Sequence, residues 1–218
     1  GSSGVSHNAG LVRLPMLRQQ VPGANGCCLS LADYISPVQP AASSDVRNLP
    51  PENVLGLFAA SVREGDVAAE AEDEEKYGQM LCQTLKDRLA EATAEKLHED
   101  VRRIYWAYAP EERLAMSDLF AAKYRGIRPA VGYPSLPDQS IIFLIDRLLP
   151  FSQIGVRLTE NGMMQPHASV AGLMFSHPAA EYFSVGQIDG SQLADYAARR
   201  GMAQEQLRKY FFRNISSL

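Results

Sequence analysis

Residues 123–134 bring charged, aromatic and proline side chains into one short run, Lys-Tyr-Arg-Gly-Ile-Arg-Pro-Ala-Val-Gly-Tyr-Pro. Arg128 offers a planar fork of donors that suits a carboxylate, and the nearby Tyr133 adds an aromatic face. The carbonyls around Pro129 and Ala130 cannot all pair within a turn, so we expect them to accept hydrogen bonds from an amine or amide. The run therefore predicts a site for a small anionic or aromatic ligand, although such a run is also typical of a structural corner with a salt-bridged Arg.

The backbone of this run is restricted at several positions. Pro129 and Pro134 fix φ at about −65° and favour extended conformations at the residues before them. Gly132 permits a turn that a β-carbon would hinder. We therefore expect a rigid polar turn between a helical first half of the chain and a strand-rich second half.

Three further residues are candidates for the same site, namely Glu91 on a predicted helix and the pair Tyr182-Phe183 on a predicted strand. Each also has an ordinary interpretation, since Glu91 fits the solvent face of its helix and the two aromatics fit a core or sheet surface. No GxSxG elbow, GxGxxG motif or Walker loop is present. The histidines lack metal-ligand spacing, and we interpret them as surface or capping residues: His7, His98, His167, His177.

The predicted helices deliver the chain into and out of this run. The longest covers about residues 66–108, where no Pro interrupts and apolar side chains recur three to five residues apart. It either breaks near Gly78 or forms the spine of an elongated domain. Its apolar face is predicted to contain Tyr77, Leu81, Leu85, Leu89, Ala92, Leu97, Val101, Ile104 and Tyr108. Shorter helices are predicted within 11–20, over 117–124 with Ser117 as N-cap, from a cap at Asp138 to 149, over 191–200 ended by Gly201, and over 203–212.

The predicted strands lie in two groups. Residues 27–35 alternate apolar with small or polar side chains, and we expect them to pair with the apolar run 54–62. Later strands are predicted over 155–159, 163–165, 168–175 and 182–188, with Asn161-Gly162 as a hairpin turn. An antiparallel meander is the simplest assembly of these later strands.

Composition narrows the functional classes. The chain has 218 residues, is 46% hydrophobic and carries a net charge of −4, with no Lys/Arg block of the kind that binds nucleic acid. No apolar run approaches a membrane span, and three cysteines are too few for a disulfide framework, so we expect a cytoplasmic protein. We interpret residues 1–10 as a tag remnant or flexible tail and 11–218 as a single domain.

Longer motifs carry a resemblance to a known family. They run from Leu17-Arg18-Gln19-Gln20 and Leu31-Ala32-Asp33-Tyr34-Ile35 through 89–108 and 123–134 to Ala168-Ser169-Val170-Ala171-Gly172-Leu173, Phe175-Ser176-His177-Pro178, Tyr182-Phe183-Ser184-Val185-Gly186 and Asp195-Tyr196-Ala197. Together these motifs resemble the C-terminal activation domain of cobalamin-dependent methionine synthase. The resemblance covers nearly everything from Leu17 to Met202. The upstream Trp-containing segment of the family is not matched, since the only tryptophan is Trp106, so the resemblance implies an N-terminally shortened member.

The resemblance implies an α+β domain with a twisted antiparallel sheet and long helices, which binds S-adenosylmethionine. In the family, the domain supplies a methyl group when cobalamin on a neighbouring domain has been oxidised to the cob(II) state. An electron from a flavodoxin-type donor and the methyl group together regenerate methylcobalamin for methionine biosynthesis. The implied partners are therefore a cobalamin-binding methyltransferase domain or chain and that electron donor. No complete active site of a methyltransferase is expected in this chain alone.

The resemblance also implies roles for individual residues. Arg128 would bind the methionine carboxylate, and backbone groups near Ala130 would hold the adenine or ribose side. Tyr182 and Phe183 would frame the ligand, and Glu91 would act through water. The remaining implied site residues are Gly132 and Tyr133. Two alternatives stay open: a degenerate docking protein that no longer binds S-adenosylmethionine, and an activation factor for another corrinoid methyltransferase.

Overall fold

The structure is a computed structural model that describes residues 12–23, 26–37, 50–63 and 75–211, without the side chains of 75 and 76. The predicted tail, residues 1–10, and the start of the predicted long helix, residues 66–74, lie outside this described part. The helices are α1 (Glu75–Asp100), α2 (Met116–Phe120), α3 (Ile141–Leu148), α4 (Gly190–Arg200) and α5 (Gln204–Arg208). The strands are β1 (Gly56–Ser61), β2 (Arg157–Leu158), β3 (Met164–Gln165) and β4 (Ser169–Met174). Helices combine with small antiparallel sheets, so the predicted α+β class is confirmed.

Helix α1 is unbroken at Gly78 and continues into a π-helical turn at Val101–Tyr105. Its buried side differs from the predicted apolar face, because Tyr77, Leu81 and Ile104 are all more than half exposed. The residues that are buried lie four apart, at Ala90, Ala94, His98 and Arg102. Ala94 packs against Phe58 of β1 and Met174 of β4, so the small side chains let the helix approach the sheet closely.

Strand β4 is central to the fold. On one side it pairs antiparallel with β1, in a register that runs from Gly56 opposite Met174 to Ser61 opposite Ser169. On its other side lie residues 127–131, which we call the Arg128 segment. This segment is extended, and its antiparallel bonds to β4 and to Phe175 are 2.9–3.0 Å long: Ile127 N to Phe175 O, Phe175 N to Ile127 O, Leu173 N to Pro129 O, Val131 N to Ala171 O.

The Arg128 segment thus forms an edge of the sheet, and the predicted turn at Gly132 follows it. The predicted free carbonyls are already partnered, since Pro129 O accepts from Leu173 N and Ala130 O accepts from Tyr133 N at 3.3 Å. That prediction was wrong because it treated the segment as an isolated turn. Sheet pairing, which depends on residues far away in sequence, satisfies Pro129 O, and a bond within the turn satisfies Ala130 O.

The strand predicted over 27–35 is also wrong, and so is its pairing with β1. Residues Leu31–Tyr34 form a 3₁₀ turn, and Ser30 caps it reciprocally with Asp33. Leu31 and Tyr34 are buried in the main core. The buried apolar side chains therefore lie on one side of a short turn and not on one face of a strand. Among the described residues of 11–20 there is no helix, and Arg18 bridges Ser30 in an extended pair.

The hairpin predicted at Asn161-Gly162 is confirmed, because β2 and β3 pair antiparallel around it and Gly162 has φ +77°. The meander is not present in the described residues. Strand β4 pairs with β1 rather than β3, and residues 182–188 form no strand. Helix α2 begins after Ala115 instead of Ser117 and ends at Phe120.

The later helices follow the prediction more closely. Helix α4 ends at Gly201, which has φ +64°, as expected for a left-handed C-cap. Helix α5 is shorter than predicted, ending at Arg208. Asp138 lies two residues before the N-cap of α3, Ser140, and is buried.

Among the described residues, the two largest apolar clusters share a neighbour, because Phe183 packs against both. The main cluster joins α3, β4 and the 3₁₀ turn at Leu31–Tyr34. The second lies beneath α4 and α5. A buried polar network links α3 to α4, since the Tyr196 hydroxyl donates to Asp138 at 2.9 Å and Arg200 donates to Ser140 at 2.7 Å. No described helix is both long enough and apolar enough to cross a membrane.

Candidate functional site

A cleft of about 520 Å³ opens between α1, the Arg128 segment and residues 182–184. We call it the binding cleft, and its volume suits a small ligand. Six predicted site residues line it: Glu91, Arg128, Ala130, Tyr133, Tyr182, Phe183. Of the other lining residues, sequence reasoning named only the carbonyl of Pro129 and missed Tyr124, Pro134, Ser135, Val170 and Ser184. Most of these residues lie within or beside the motifs around Arg128 and Tyr182. Their closeness in sequence to the predicted site residues is the signal that could have identified them.

Polar contacts fix the aromatic wall of the cleft. The Ser135 hydroxyl donates to Phe183 O at 2.5 Å, and Val185 N donates to Pro134 O at 2.9 Å. Residues 182–185 are irregular rather than a strand, yet these contacts tie them to the turn after the Arg128 segment. The tie brings Tyr182 and Phe183 opposite Arg128.

Tyr182 touches the Arg128 segment directly. Its hydroxyl oxygen accepts from Arg128 N at 3.0 Å and lies 3.4 Å from the Tyr124 hydroxyl. Its side chain is 43% exposed, so the ring presents an aromatic surface at the cleft. The Tyr182 ring can therefore border a flat ligand group while its hydroxyl holds the Arg128 backbone in place.

Gly132 does not line the cleft. Its φ is +84°, and a β-carbon there would lie 2.7 Å from Gln139 Oε1. Its backbone N donates to Leu136 O at 2.9 Å and closes the turn that carries Tyr133. The residue thus supports the shape of the cleft wall.

The backbone of Ala130 points toward the open side of the sheet edge. Ala130 faces Gly172 in a position where neither residue bonds to the other, because the flanking bonds come from Val131 N and Pro129 O. The N–H and C=O groups of Ala130 therefore point away from β4, and the C=O accepts from Tyr133 N within the turn. The N–H group is placed to meet a ligand in the cleft.

Arg128 is the cation among the described residues that line the binding cleft. Its side chain is 19% exposed, and Nη2 donates to Glu95 Oε2 at 2.7 Å. Burial acts to lower the pKa of Arg128, but the hydrogen bond to Glu95 and the neighbouring acidic groups outweigh it, so the pKa lies above its ordinary value. Nε is buried and has no hydrogen-bond partner among the described residues. The guanidinium therefore pairs with an internal carboxylate and still borders a cleft.

Glu91 lies at the rim of the cleft. Its Oε2 accepts from Arg88 Nη1 at 2.9 Å in a pair three residues apart, and about half of its side chain is exposed. This fits the solvent-face interpretation, and Glu91 also lines the cleft. A smaller recess of about 260 Å³ shares Glu91 and Ala130 and continues past Asp87 and His167. The described residues bring no three His, Cys, Asp or Glu side chains together as metal ligands.

A buried polar layer lies behind the cleft. His98 is fully buried and packs edge-on to Tyr124, with ring centroids 5.0 Å apart. Arg102 stacks over the same ring at 4.4 Å and donates to Glu112 at 2.8 Å. The surface or capping role expected for His98 was wrong, because helical spacing alone does not reveal that Arg102 and Tyr124 close over it.

His98 should make stability depend on pH. Burial, followed by the nearby charges of Arg102 and Arg128, lowers the pKa of His98 from 6.5 to about 2. The unfolded chain then binds a proton that the folded chain excludes, so stability is complete above pH 6.5 and falls as the pH drops below it. Between pH 6.5 and 5.5 we expect a loss of about 1 kcal/mol in the free energy of unfolding.

Urea unfolding of the wild type and His98→Gln at several pH values measures this loss. The difference between the two proteins should change by that amount between pH 6.5 and 5.5. The control is the interval from about pH 7.5 to 8.5, where the imidazole is neutral in the folded and the unfolded chain and the difference should stay nearly constant. A pH-independent difference for His98→Gln would show that this histidine titrates normally.

The chain matches a known family and a solved structure. The family model for the activation domain of vitamin B12-dependent methionine synthase matches residues 3–201. A crystal structure of the MetH reactivation domain bound to AdoHcy is similar, with a TM-score of 0.77 and 37% sequence identity. The match covers 93% of this chain and 61% of that one, so this chain spans about three fifths of the length of the solved relative. The chain therefore belongs to the family of vitamin B12-dependent methionine synthase activation domains.

Proposed function

We propose that this chain binds S-adenosylmethionine in the binding cleft and serves as the reactivation module of a cobalamin-dependent methionine synthase. The observation that carries the proposal is the convergence of Arg128, Ala130 and the Tyr182-Phe183 pair on one cleft. The similar solved domain is bound to AdoHcy, which is S-adenosylmethionine without its methyl group. Participation in methionine biosynthesis in the cytoplasm is part of the proposal.

The groups around the cleft match the parts of the ligand. A guanidinium binds a carboxylate through charge-assisted hydrogen bonds, which are stronger than neutral ones, so Arg128 takes the amino-acid end. The outward N–H group of Ala130 takes a polar atom on the nucleoside side. The rings of Tyr182 and Phe183 flank the flat base. Glu91, at the rim, acts through water on the positively charged end of the ligand.

The contribution of this chain is positioning. When bound, S-adenosylmethionine supplies a sulfonium methyl group for reduced cobalamin, which a partner domain or chain would carry while a flavodoxin-type donor provides the electron. Arg128 and Ala130 hold the two ends of the ligand on a sheet edge that β4 stiffens, which limits the orientations of the sulfonium between them. The smaller recess beyond Glu91 extends the open side of the site, where we expect the partner to approach.

Calorimetry with S-adenosylmethionine and S-adenosylhomocysteine tests the ligand. We expect saturable heat with both, and weaker binding of free methionine, which lacks the nucleoside. A pull-down with a cobalamin-loaded methyltransferase domain tests the partner. If neither nucleoside ligand gives heat while the cobalamin domain is still retained, the chain is a docking protein and the ligand proposal fails. Retention of a different corrinoid protein alone would instead make the chain an activation factor for that enzyme.

A further inference from the structure

The guanidinium of Arg128 lies between two clefts. One is the binding cleft, and the other is a cleft of about 630 Å³ between α1 and α2, which we call the second cleft. Arg128 and Glu91 line both, whereas Glu95 lines only the second. The contact between Arg128 Nη2 and Glu95 Oε2 is therefore made on the side away from the binding cleft.

The pair is also incomplete. One 2.7 Å bond joins the two side chains, and it leaves Arg128 Nε and Glu95 Oε1 buried without hydrogen-bond partners among the described residues. Buried polar atoms are normally satisfied, so one unpaired donor and one unpaired acceptor in the same ion pair need an explanation. A carboxylate entering the binding cleft would bring acceptors to a guanidinium whose other side is already held.

We propose that Glu95 is a positioning residue that holds Arg128 from behind, so that its remaining donors face the carboxylate of the ligand. The inference rests on the proposed function, and it assigns to Glu95 no contact with the ligand. An unanchored Arg side chain has many rotamers, and fixing it before binding avoids that entropy loss when the ligand arrives. Glu95 is placed for this because it projects from α1, whose neighbouring turns pack on the sheet.

Two substitutions separate positioning from general structural support. Glu95→Ala removes the carboxylate that holds Arg128, and we expect S-adenosylhomocysteine to bind about tenfold more weakly. Glu95→Gln retains a carbonyl oxygen that can accept from Arg128, and its affinity should stay within about threefold of the wild type. Neither variant should change the affinity for 5′-methylthioadenosine, which has the nucleoside but no carboxylate. Glu99→Ala is the matched control, because Glu99 lies one turn further along α1 and pairs instead with Lys96 and Arg103.

A measurement without ligand tests directly whether Glu95 holds the Arg128 side chain. Nuclear magnetic resonance of the Arg128 guanidinium should show slow rotation about Cζ–Nε in the wild type and in Glu95→Gln, and fast rotation in Glu95→Ala. Suppose that rotation is restricted in the wild type but the wild type binds no S-adenosylhomocysteine. The proposed function would then be refuted, whereas the contact by which Glu95 holds Arg128 would stand. Free rotation in the wild type would overturn the inference. So would wild-type affinity in a folded Glu95→Ala, or an equal loss of 5′-methylthioadenosine affinity.

Discussion

Replacing Arg128 with Ala is expected to weaken S-adenosylhomocysteine binding by about 1.5–3 kcal/mol, or roughly ten- to a hundredfold. Among the described residues that line the binding cleft, Arg128 alone carries a positive side-chain charge. Its low exposure means that water screens its bond to a carboxylate only partly. Isothermal titration of the wild type and the variant with the same ligand measures the difference.

Two further substitutions make this result specific. Arg128→Lys keeps the charge but loses the planar fork, and we expect an affinity between those of the wild type and Arg128→Ala. Arg103→Ala removes an exposed Arg that pairs with Glu99 next to α1, and its affinity should match the wild type. If Arg128→Ala binds as tightly as Arg103→Ala, the carboxylate does not bind at Arg128, and the assignment of the site is wrong.

Gly172→Ala is expected to lower the free energy of unfolding by about 3 kcal/mol. A β-carbon at Gly172 would lie 2.2 Å from Pro129 O and 2.8 Å from Ala130 Cα. Both contacts are with backbone, so no side-chain rotation can relieve them. The added methyl group must push the Arg128 segment away from β4, which weakens the sheet edge and displaces the wall of the binding cleft together.

Urea unfolding and ligand titration should therefore change in the same variant. Gly190→Ala is the control, because a β-carbon at this first residue of α4 meets no atom within 4 Å. It should leave affinity unchanged and alter stability by less than about 1 kcal/mol, in the stabilising direction. Full stability and full affinity in Gly172→Ala would mean that the Arg128 segment does not pack against β4 as described.

Six of the predicted site residues line one cleft, and the signals that identified them in the sequence were local. A guanidinium and aromatic rings are the groups that bind a charged nucleoside ligand. The sequence has both in two short motifs around Arg128 and Tyr182. Proline and glycine at fixed positions in the first motif also limit its backbone, and this does not require knowledge of distant residues. The family resemblance then placed the two motifs in one site, which the cleft supports geometrically.

The errors arose where distant residues decide the outcome. Four-residue spacing on α1 could not tell the exposed Leu81 and Leu85 from the buried Ala90 and Ala94, because burial depends on where the sheet lies. Alternating apolar residues at 27–35 fit a strand and a 3₁₀ turn equally well until the core around Tyr34 is known. Glu95 resembled any other acidic residue on a solvated helix, and its contact with Arg128 crosses elements that are 33 residues apart.

By itself, the sequence determined the helical and hairpin segments with strong local signals, the class of side chains available for a ligand and, through its motifs, the family. These follow from backbone restriction, hydrophobic period and residue chemistry, all of which act within a few neighbouring residues. Only the tertiary structure decided that β4 lies between β1 and the Arg128 segment, that His98 is buried, and that Glu95 stands behind Arg128. Those arrangements depend on packing and hydrogen bonding between segments far apart in the chain, where many pairings satisfy the same local pattern.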